Sequence, residues 1–398
     1  LIGCITSIIW LVVGYSLAFG ESNAFIGGFD KIMLVGITQN SVVGDIPEFL
    51  LFAFQMTFFM ITPALIVGAF VERMKLSAVL LFSALWSILV YAPVCHWIWG
   101  ANGFMLEWGV KDLAGGIVVH LTAGVAALLI CFMLGSRKGF PDNGFTPHNL
   151  PMCITGAGLL WVGWFGFNAG SGLAANGDAA LTLVVTHISA ATGTLVWALI
   201  DKWKTGKVSA LGAVTGLIAG LAAITPASGD VGPIGALAIG TCSALICHYA
   251  STVIKYRFSY DDSLDVVGVH GVGGLIGSLL VAVFAAPQFG GKEDASYEIG
   301  KQLVVQLQAC GITIAYTLTV SYIILKVVDL LCHGLRTSDT DENVGLDQAI
   351  HGENGYSNEL ATVLNSSIDA KYTSPELSQP AIVDRSSQDS EKKVYVPS

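Results

Sequence analysis

Apolar runs of about 18 residues or more recur along the whole chain, separated by short polar breaks. A run of that length crosses the hydrocarbon of a bilayer as a helix, because in lipid each backbone N–H and C=O must be satisfied within its own segment. Composition agrees. Of the 398 residues, 53% are hydrophobic and only 12% charged, about half the charged share of ordinary soluble domains. The chain is therefore expected to be all-α and polytopic. Ten spans are read, at 1–20, 48–71, 76–99, 113–135, 150–168, 178–200, 208–226, 231–254, 265–286 and 302–330. The first opens at Leu1 without a charged leader, which argues against a signal peptide. An opening inside a span predicts a truncated or processed N-terminus.

Loop charge sets the expected orientation. Alternate loops hold Arg73, Lys75, Arg137, Lys138, Lys202, Lys204, Lys207, Lys255 and Arg257, nine in all; the other set holds Lys31, Lys111, Lys292 and Lys301. The positive-inside bias places the first set, and with it the C-terminus, in the cytoplasm. The net charge of -10 is mostly a tail effect, since residues 333–398 hold eleven Asp/Glu against five Lys/Arg. Residues 357–398 have the composition of a disordered tail. No basic patch with interleaved aromatics supports nucleic-acid binding. The eight cysteines lie mostly in apolar stretches without CxxC spacing, so they read as small buried residues and not as disulfides or metal ligands. Walker A, GxSxG and HExxH patterns are missing, so no enzyme, cofactor or metal is predicted.

Two histidines break the apolar pattern in matched settings. Asp112-Leu-Ala-Gly-Gly-Ile-Val-Val-His120 lies in the fourth span and Asp262-Ser-Leu-Asp265-Val-Val-Gly-Val-His270 in the ninth. Each has a glycine four residues on, Gly124 and Gly274. The odd separation of five spans makes the two segments antiparallel, the pattern of an inverted repeat with its site near mid-membrane. Eight residues of helix put each imidazole about 12 Å below its aspartate. Entering from opposite faces of about 30 Å of hydrocarbon, the two rings are expected to meet. An ionisable group at that depth is a functional candidate, and imidazole can donate or accept at either nitrogen. The plainer alternative is two separate interhelical histidines bonded to carbonyls.

Other candidates carry two readings each. Asp112 suits an N-cap, and a carboxylate there also favours an arriving cation. Asp262 and Asp265 read as caps. Trp97, Trp99, Trp108 and Phe104, with Phe58 deeper in the second span, suit either an interfacial aromatic belt or a cation–π vestibule. His96, His187 and His248 lack the twin setting and read as structural. Gly212, Gly216 and Gly220 read as a close-packing stripe.

These residues closely resemble the ammonium transporter family, the Amt/MEP/Rh superfamily, in its bacterial-type Amt branch. The likeness rests on the two Asp–His motifs, on Val67-Gly-Ala-Phe-Val-Glu-Arg73 and on Trp161-Val-Gly-Trp-Phe-Gly-Phe-Asn-Ala-Gly-Ser171. It extends through Gly334-Leu-Arg336, Gly345-Leu-Asp347 and His351-Gly-Glu353, to about residue 356. The resemblance implies an eleven-span fold, an inverted repeat of five and five plus one, with the family's first span absent here. It implies a homotrimer with one pore per subunit, residues 1–332 in the membrane, and a cytoplasmic regulatory segment at 333–356. By the same resemblance Phe58, Trp99 and Asp112 match the outer ammonium site, and His120 and His270 the twin histidines of the pore. Gln55 precedes Phe58 as in the family's pattern. The family's second gate phenylalanine falls at Leu183, in Ala179-Ala-Leu-Thr-Leu183, which implies one ring over the pore where two are usual.

The function implied is ammonium transport across the cell membrane, with a dry pore as the selective barrier and loss of a proton before the histidines. Membrane lipid surrounds it, and a PII-type signalling protein is an expected partner by analogy. Two alternatives stand: an ammonium sensor on the same fold with little flux, and a cation channel of unrelated family.

Overall fold

The computed structural model describes residues 1–142, 145 and 147–353. The expected tail at 357–398, and residues 354–356 of the C-terminal segment, lie outside the described residues. Leu1–Asn343 form one compact unit; a second begins at Val344, and its described part holds a single wide helical turn, Asp347–His351.

Among the described residues nine helices are long and apolar enough to cross a membrane. In chain order, with one shorter helix, these are α1 (Ile2–Phe19), α2 (Glu48–Ala69), α3 (Leu76–Glu107), α4 (Gly116–Leu134), α5 (Leu150–Gly170), α6 (Gly177–Thr205), α7 (Ala210–Ile224), α8 (Pro233–Arg257), α9 (Val267–Phe284) and α10 (Ile299–Leu331). All ten expected spans are present as helices. The seventh is the short one, a 15-residue α7, because Pro226 follows closely and the chain turns through residues 225–230. Helix α3 breaks after Trp99, where Gly100 takes an extended ψ of 143°. The described strands form one small hairpin, Val42–Val43 with Ile46–Pro47, leading into α2.

Capping follows the sequence. Asn149, Asn176 and Ser209 accept backbone N–H groups at the starts of α5, α6 and α7. The stripe Gly212, Gly216 and Gly220 of α7 lies on α6; a Cβ on Gly220 would stand 2.4 Å from the Ser189 carbonyl oxygen. Bulky apolar side chains fill the largest core, among them Trp10, Phe59, Trp86, Tyr91 and Ile117, each fully buried.

The repeat is visible in backbone detail. Helices α4 and α9 both open with a π-helical turn, Gly116–Leu121 and Val267–Gly271, and each turn contains the histidine. A left-handed residue sits five positions before each ring, Gly115 at φ 107° and Asp265 at φ 55°. Helices α3 and α8, five apart like α4 and α9, also carry one π turn each, Ser87–Tyr91 and Ala250–Ile254. Helices α4 and α9 cross at glycine: a Cβ on Gly124 would lie 2.2 Å from the Gly271 Cα, and one on Gly274 would lie 2.8 Å from the His120 Cβ. Only glycine lets two backbones approach so closely, and that approach brings the rings to one depth.

At the end of the bundle that carries Asp262, the basic loops gather on Asp261. Arg137 donates through Nε and Nη2 to the two Asp261 carboxylate oxygens at 2.8 and 2.9 Å, and Arg73, fully buried, donates to the Asp261 carbonyl. Residues 333–343 dock there. Lys75 N–H donates to the Leu335 carbonyl, Thr337 N–H to the Arg73 carbonyl, and Arg336 to the Leu134 and Ser136 carbonyls.

Candidate conduction site

His120 and His270 face each other, Nδ1 to Nδ1 at 3.2 Å, with ring centroids 5.1 Å apart. Both are buried. A bond between two Nδ1 atoms needs one of them protonated and the other bare, so the pair shares a single proton along that contact. Among the described residues the His120 Nε2 has no hydrogen-bond partner. The His120 ring stacks on Trp164 at 5.4 Å and on Phe167 at 6.0 Å.

Phe167 leads upward to the aromatic group expected on the Asp112 side. Its ring lies 4.3 Å from that of Phe58, and Phe58 meets Trp99 edge-on at 5.6 Å. Two cavities lie on either side of these rings. One, of about 630 Å³, opens at the Asp112 end and is lined by Gln55, Trp99, Asp112 and Ser171 among others. The other, of about 640 Å³, touches both histidines, Phe54, Trp164 and Phe167, and extends between α2 and α5 to Gly3 and Leu159. Fully buried Phe58 lines neither. The rings therefore lie between a vestibule that carries charged groups and an apolar groove, open between α2 and α5, that reaches the histidine pair.

Asp112 is held by the start of α4. Its Oδ1 accepts the N–H groups of Gly115 and Gly116, and its Oδ2 those of Ile117 and Val118. A carboxylate offers about four acceptor sites, and all are taken. Burial pushes its carboxyl up to about 6, against the opposing pull of those four N–H groups. Trp99 is fixed by the same segment, its indole N–H donating to the Asp112 carbonyl at 2.8 Å. Asp262 plays the matching part at α9, accepting the Val267 N–H at 2.7 Å, and burial likewise raises its carboxyl to about 6. Asp265 pairs with Lys255.

Most sequence candidates converge. Gln55, Trp99 and Asp112 line the vestibule, Phe58 stands beneath it, and His120 and His270 lie below the rings. Leu183 does not join them. It is 41% exposed on α6 and lines neither cavity. The expectation of a single ring is corrected, because Phe167 on α5 supplies the second. The signal was present in the Trp161–Ser171 motif, where Phe167 falls three residues after Trp164 and so on the same helix face. His96 is structural, its two ring nitrogens bonded to the Ala18 and Asn23 carbonyls at 2.9 and 2.8 Å. His248 sits by Asp201 at 3.4 Å, away from the pair.

Comparison with known proteins identifies the family. The family model described as Ammonium Transporter Family matches residues 2–356. The ammonium transporter of Aquifex aeolicus is 42% identical over 354 residues, covering 88% of this chain and 82% of that protein. That of Bacillus subtilis is 41% identical over 360 residues, covering 89% and 88%. Among solved structures, Mep2 of Candida albicans superposes with a TM-score of 0.79 at 33% identity, over 85% of this chain and 78% of that one. A structure described as a sensor Amt protein gives 0.81 at 28% identity, over 88% and 87%. These are transport and sensor proteins, not enzymes. A polytopic helical bundle with this match along nearly its whole described length belongs to the ammonium transporter family.

Proposed function

We propose that this chain carries ammonium across the cell membrane, from the Asp112 end, taken as outside, to a cytoplasmic Asp262 end. The observation that carries the reading is the buried histidine pair at 3.2 Å beside an apolar cavity, behind the rings of Phe58 and Phe167. The Asp112 charge and the ring of Trp99 favour a small cation in the vestibule, with Phe58 closing the way beneath it. Past Phe58 and Phe167 a bare cation is costly in apolar surroundings, so the nitrogen passes as ammonia; the proton it gives up goes to water of the vestibule and crosses separately by way of the histidine pair, so that each turnover moves one charge. The histidines then offer a donor and an acceptor to a neutral guest. Potassium has no proton to lose and is excluded by the same barrier.

The assembly is a homotrimer embedded in lipid. Support comes from α5, which shows Leu159 at 71% and Val162 at 68% exposure along a helix otherwise apolar. The docked segment at 333–343 offers a cytoplasmic place for a PII-type protein. Likeness to a sensor Amt protein favours a second reading, ammonium sensing with little flux.

The test is ammonium-evoked current in vesicles holding the purified chain, beside the His120→Ala variant. Current in the wild type, abolished or uncoupled from nitrogen uptake in the variant, supports transport. A wild type that binds ammonium without current supports sensing, and unchanged ammonium-specific current in His120→Ala removes the histidine pair from the mechanism.

A further inference from the structure

The basic groups at the Asp262 end of the bundle divide into two sets. Most are spent inside the protein. Arg73 and Arg137 bond to Asp261, Lys75 to the Cys332 and His333 carbonyls, and Lys138 to Asn343. Lys255 pairs with Asp265 and Arg336 with Glu342. Lys202, Lys204 and Lys207 differ. All three are exposed on the turn from α6 into α7, and among the described residues none of their ammonium groups has a hydrogen bond or ion pair. The acid beside them does not neutralise them. Asp201 is turned inward, its Oδ1 3.4 Å from the His248 Nε2. Its Oδ2 lies against Gly212, where a Cβ would stand 2.0 Å away.

The surface leading to this turn is apolar. Leu195, Leu199 and Trp203 follow at four-residue spacing on one face of α6, and they are 65%, 67% and 84% exposed. The helix then ends on Gly206 at φ 76°, a left-handed cap. An apolar stripe that runs into a tryptophan and then into lysines is the pattern of a helix leaving hydrocarbon through the headgroup layer.

We propose that the α6–α7 turn binds anionic phospholipid of the adjoining leaflet, with the three ammonium groups on headgroup phosphate and Trp203 seated at the hydrocarbon boundary. Lysine suits this contact as a compact point charge that meets phosphate oxygens without a fixed geometry. Basic residues beside a span draw anionic lipid to it, whereas a zwitterionic headgroup brings no net charge. The stripe favours lipid over a soluble anionic partner, since only a lipid covers Leu195 and Leu199 and reaches the lysines together. The site is independent of whether the chain transports ammonium or senses it.

The experiment titrates the full chain in detergent with fluorescent phosphatidylglycerol and, separately, fluorescent phosphatidylcholine. It compares the wild type with Trp203→Ala, Lys326→Gln and the triple variant Lys202→Gln/Lys204→Gln/Lys207→Gln. Lys326, exposed on α10 at the same end, controls for general charge. The triple variant is expected to weaken phosphatidylglycerol binding about tenfold, equal to about 1.4 kcal/mol, and to leave phosphatidylcholine unchanged. Trp203→Ala is expected to weaken both lipids by a smaller factor, and Lys326→Gln to keep the wild-type affinities. Unchanged phosphatidylglycerol affinity in the triple variant overturns the proposal, and so does an equal loss in Lys326→Gln. Inorganic phosphate that displaces phosphatidylglycerol, with Trp203→Ala binding as the wild type does, assigns the turn to free phosphate instead. Binding of a PII-type protein that needs the three lysines, with lipid affinity unmoved by their loss, assigns it to a protein. A triple variant whose assembly is smaller by native mass spectrometry makes the turn a subunit contact, and that too overturns the lipid site.

Discussion

Asp112 shows how one residue can be both a cap and an electrostatic element. The sequence offered these as compatible readings, and the structure shows the cap: four N–H groups occupy the carboxylate, which lines the vestibule. Because burial raises that carboxyl to about 6, the charge is present at pH 7 and mostly gone at pH 5. Ammonium itself stays protonated over that range, so supply does not change. Half-saturating ammonium is therefore expected to rise several-fold as outside pH falls from 7 to 5; a flat profile would remove Asp112 from cation attraction. The gate tests a second residue-scale point. Phe167→Ala should open the ring pair and let potassium compete for current, at a stability cost of about 1–3 kcal/mol, because Phe167 is only partly buried. Leu183→Ala, at an exposed site, should change stability by about 0.5 kcal/mol or less and leave selectivity alone. Equal effects of the two would restore the single-ring expectation. The histidines were legible because two ionisable groups in apolar runs repeat the same offset from aspartate. Phe167 was legible only through its three-residue offset from Trp164, because counting spans fixes a helix but not which of its rings turns inward.

At the scale of elements, the spans were legible from length and hydrophobicity alone, since lipid permits few alternatives. Their internal irregularities were not. A π turn needs only one extra residue in the ladder, and nothing in Gly116–Leu121 or Val267–Gly271 announces it by composition. Yet those turns aim both imidazoles. The approach of α4 to α9 was half legible, as glycines four residues after each histidine. The structure adds that Gly124 meets Gly271, not its own counterpart Gly274. Gly124→Ala places a methyl 2.2 Å from backbone that has no side chain to move. Overpacking of this kind costs about 1–3 kcal/mol, and the helices must separate to relieve it. The expected result is a lower melting temperature in detergent together with lost ammonium current. Wild-type melting would show that the helices do not cross this closely.

For the whole molecule, the aspartates at the two ends of the repeat are matched in α4 and α9 yet respond to pH in the opposite sense to their neighbour Asp261. Burial favours the neutral form of Asp112 and Asp262, and their folded values near 6 exceed the ordinary 3.8. The folded state binds those protons more tightly than the unfolded chain, so lowering pH through 6 adds stability until the ordinary value is reached. Burial also pushes the Asp261 carboxyl up, but hydrogen bonds from Arg137 and the charge of Arg73 outweigh it and hold it below its ordinary range. Its contribution is complete above about 4 and is lost as pH falls through the depressed folded value. The two senses together predict a maximum. The melting temperature of the purified chain should rise gently from pH 7 to about 5 and fall below about 4. Asp261→Asn should melt lower at pH 7, because Arg73 and Arg137 keep their burial and lose their counter-charge, a loss of about 3–5 kcal/mol for a broken buried pair. The variant should also lack the acid limb. A wild-type profile that declines steadily from pH 7 downward would mean that the end aspartates are not held by burial as described. The matched capping of α4 and α9 would then carry no electrostatic consequence for the histidine pair between them.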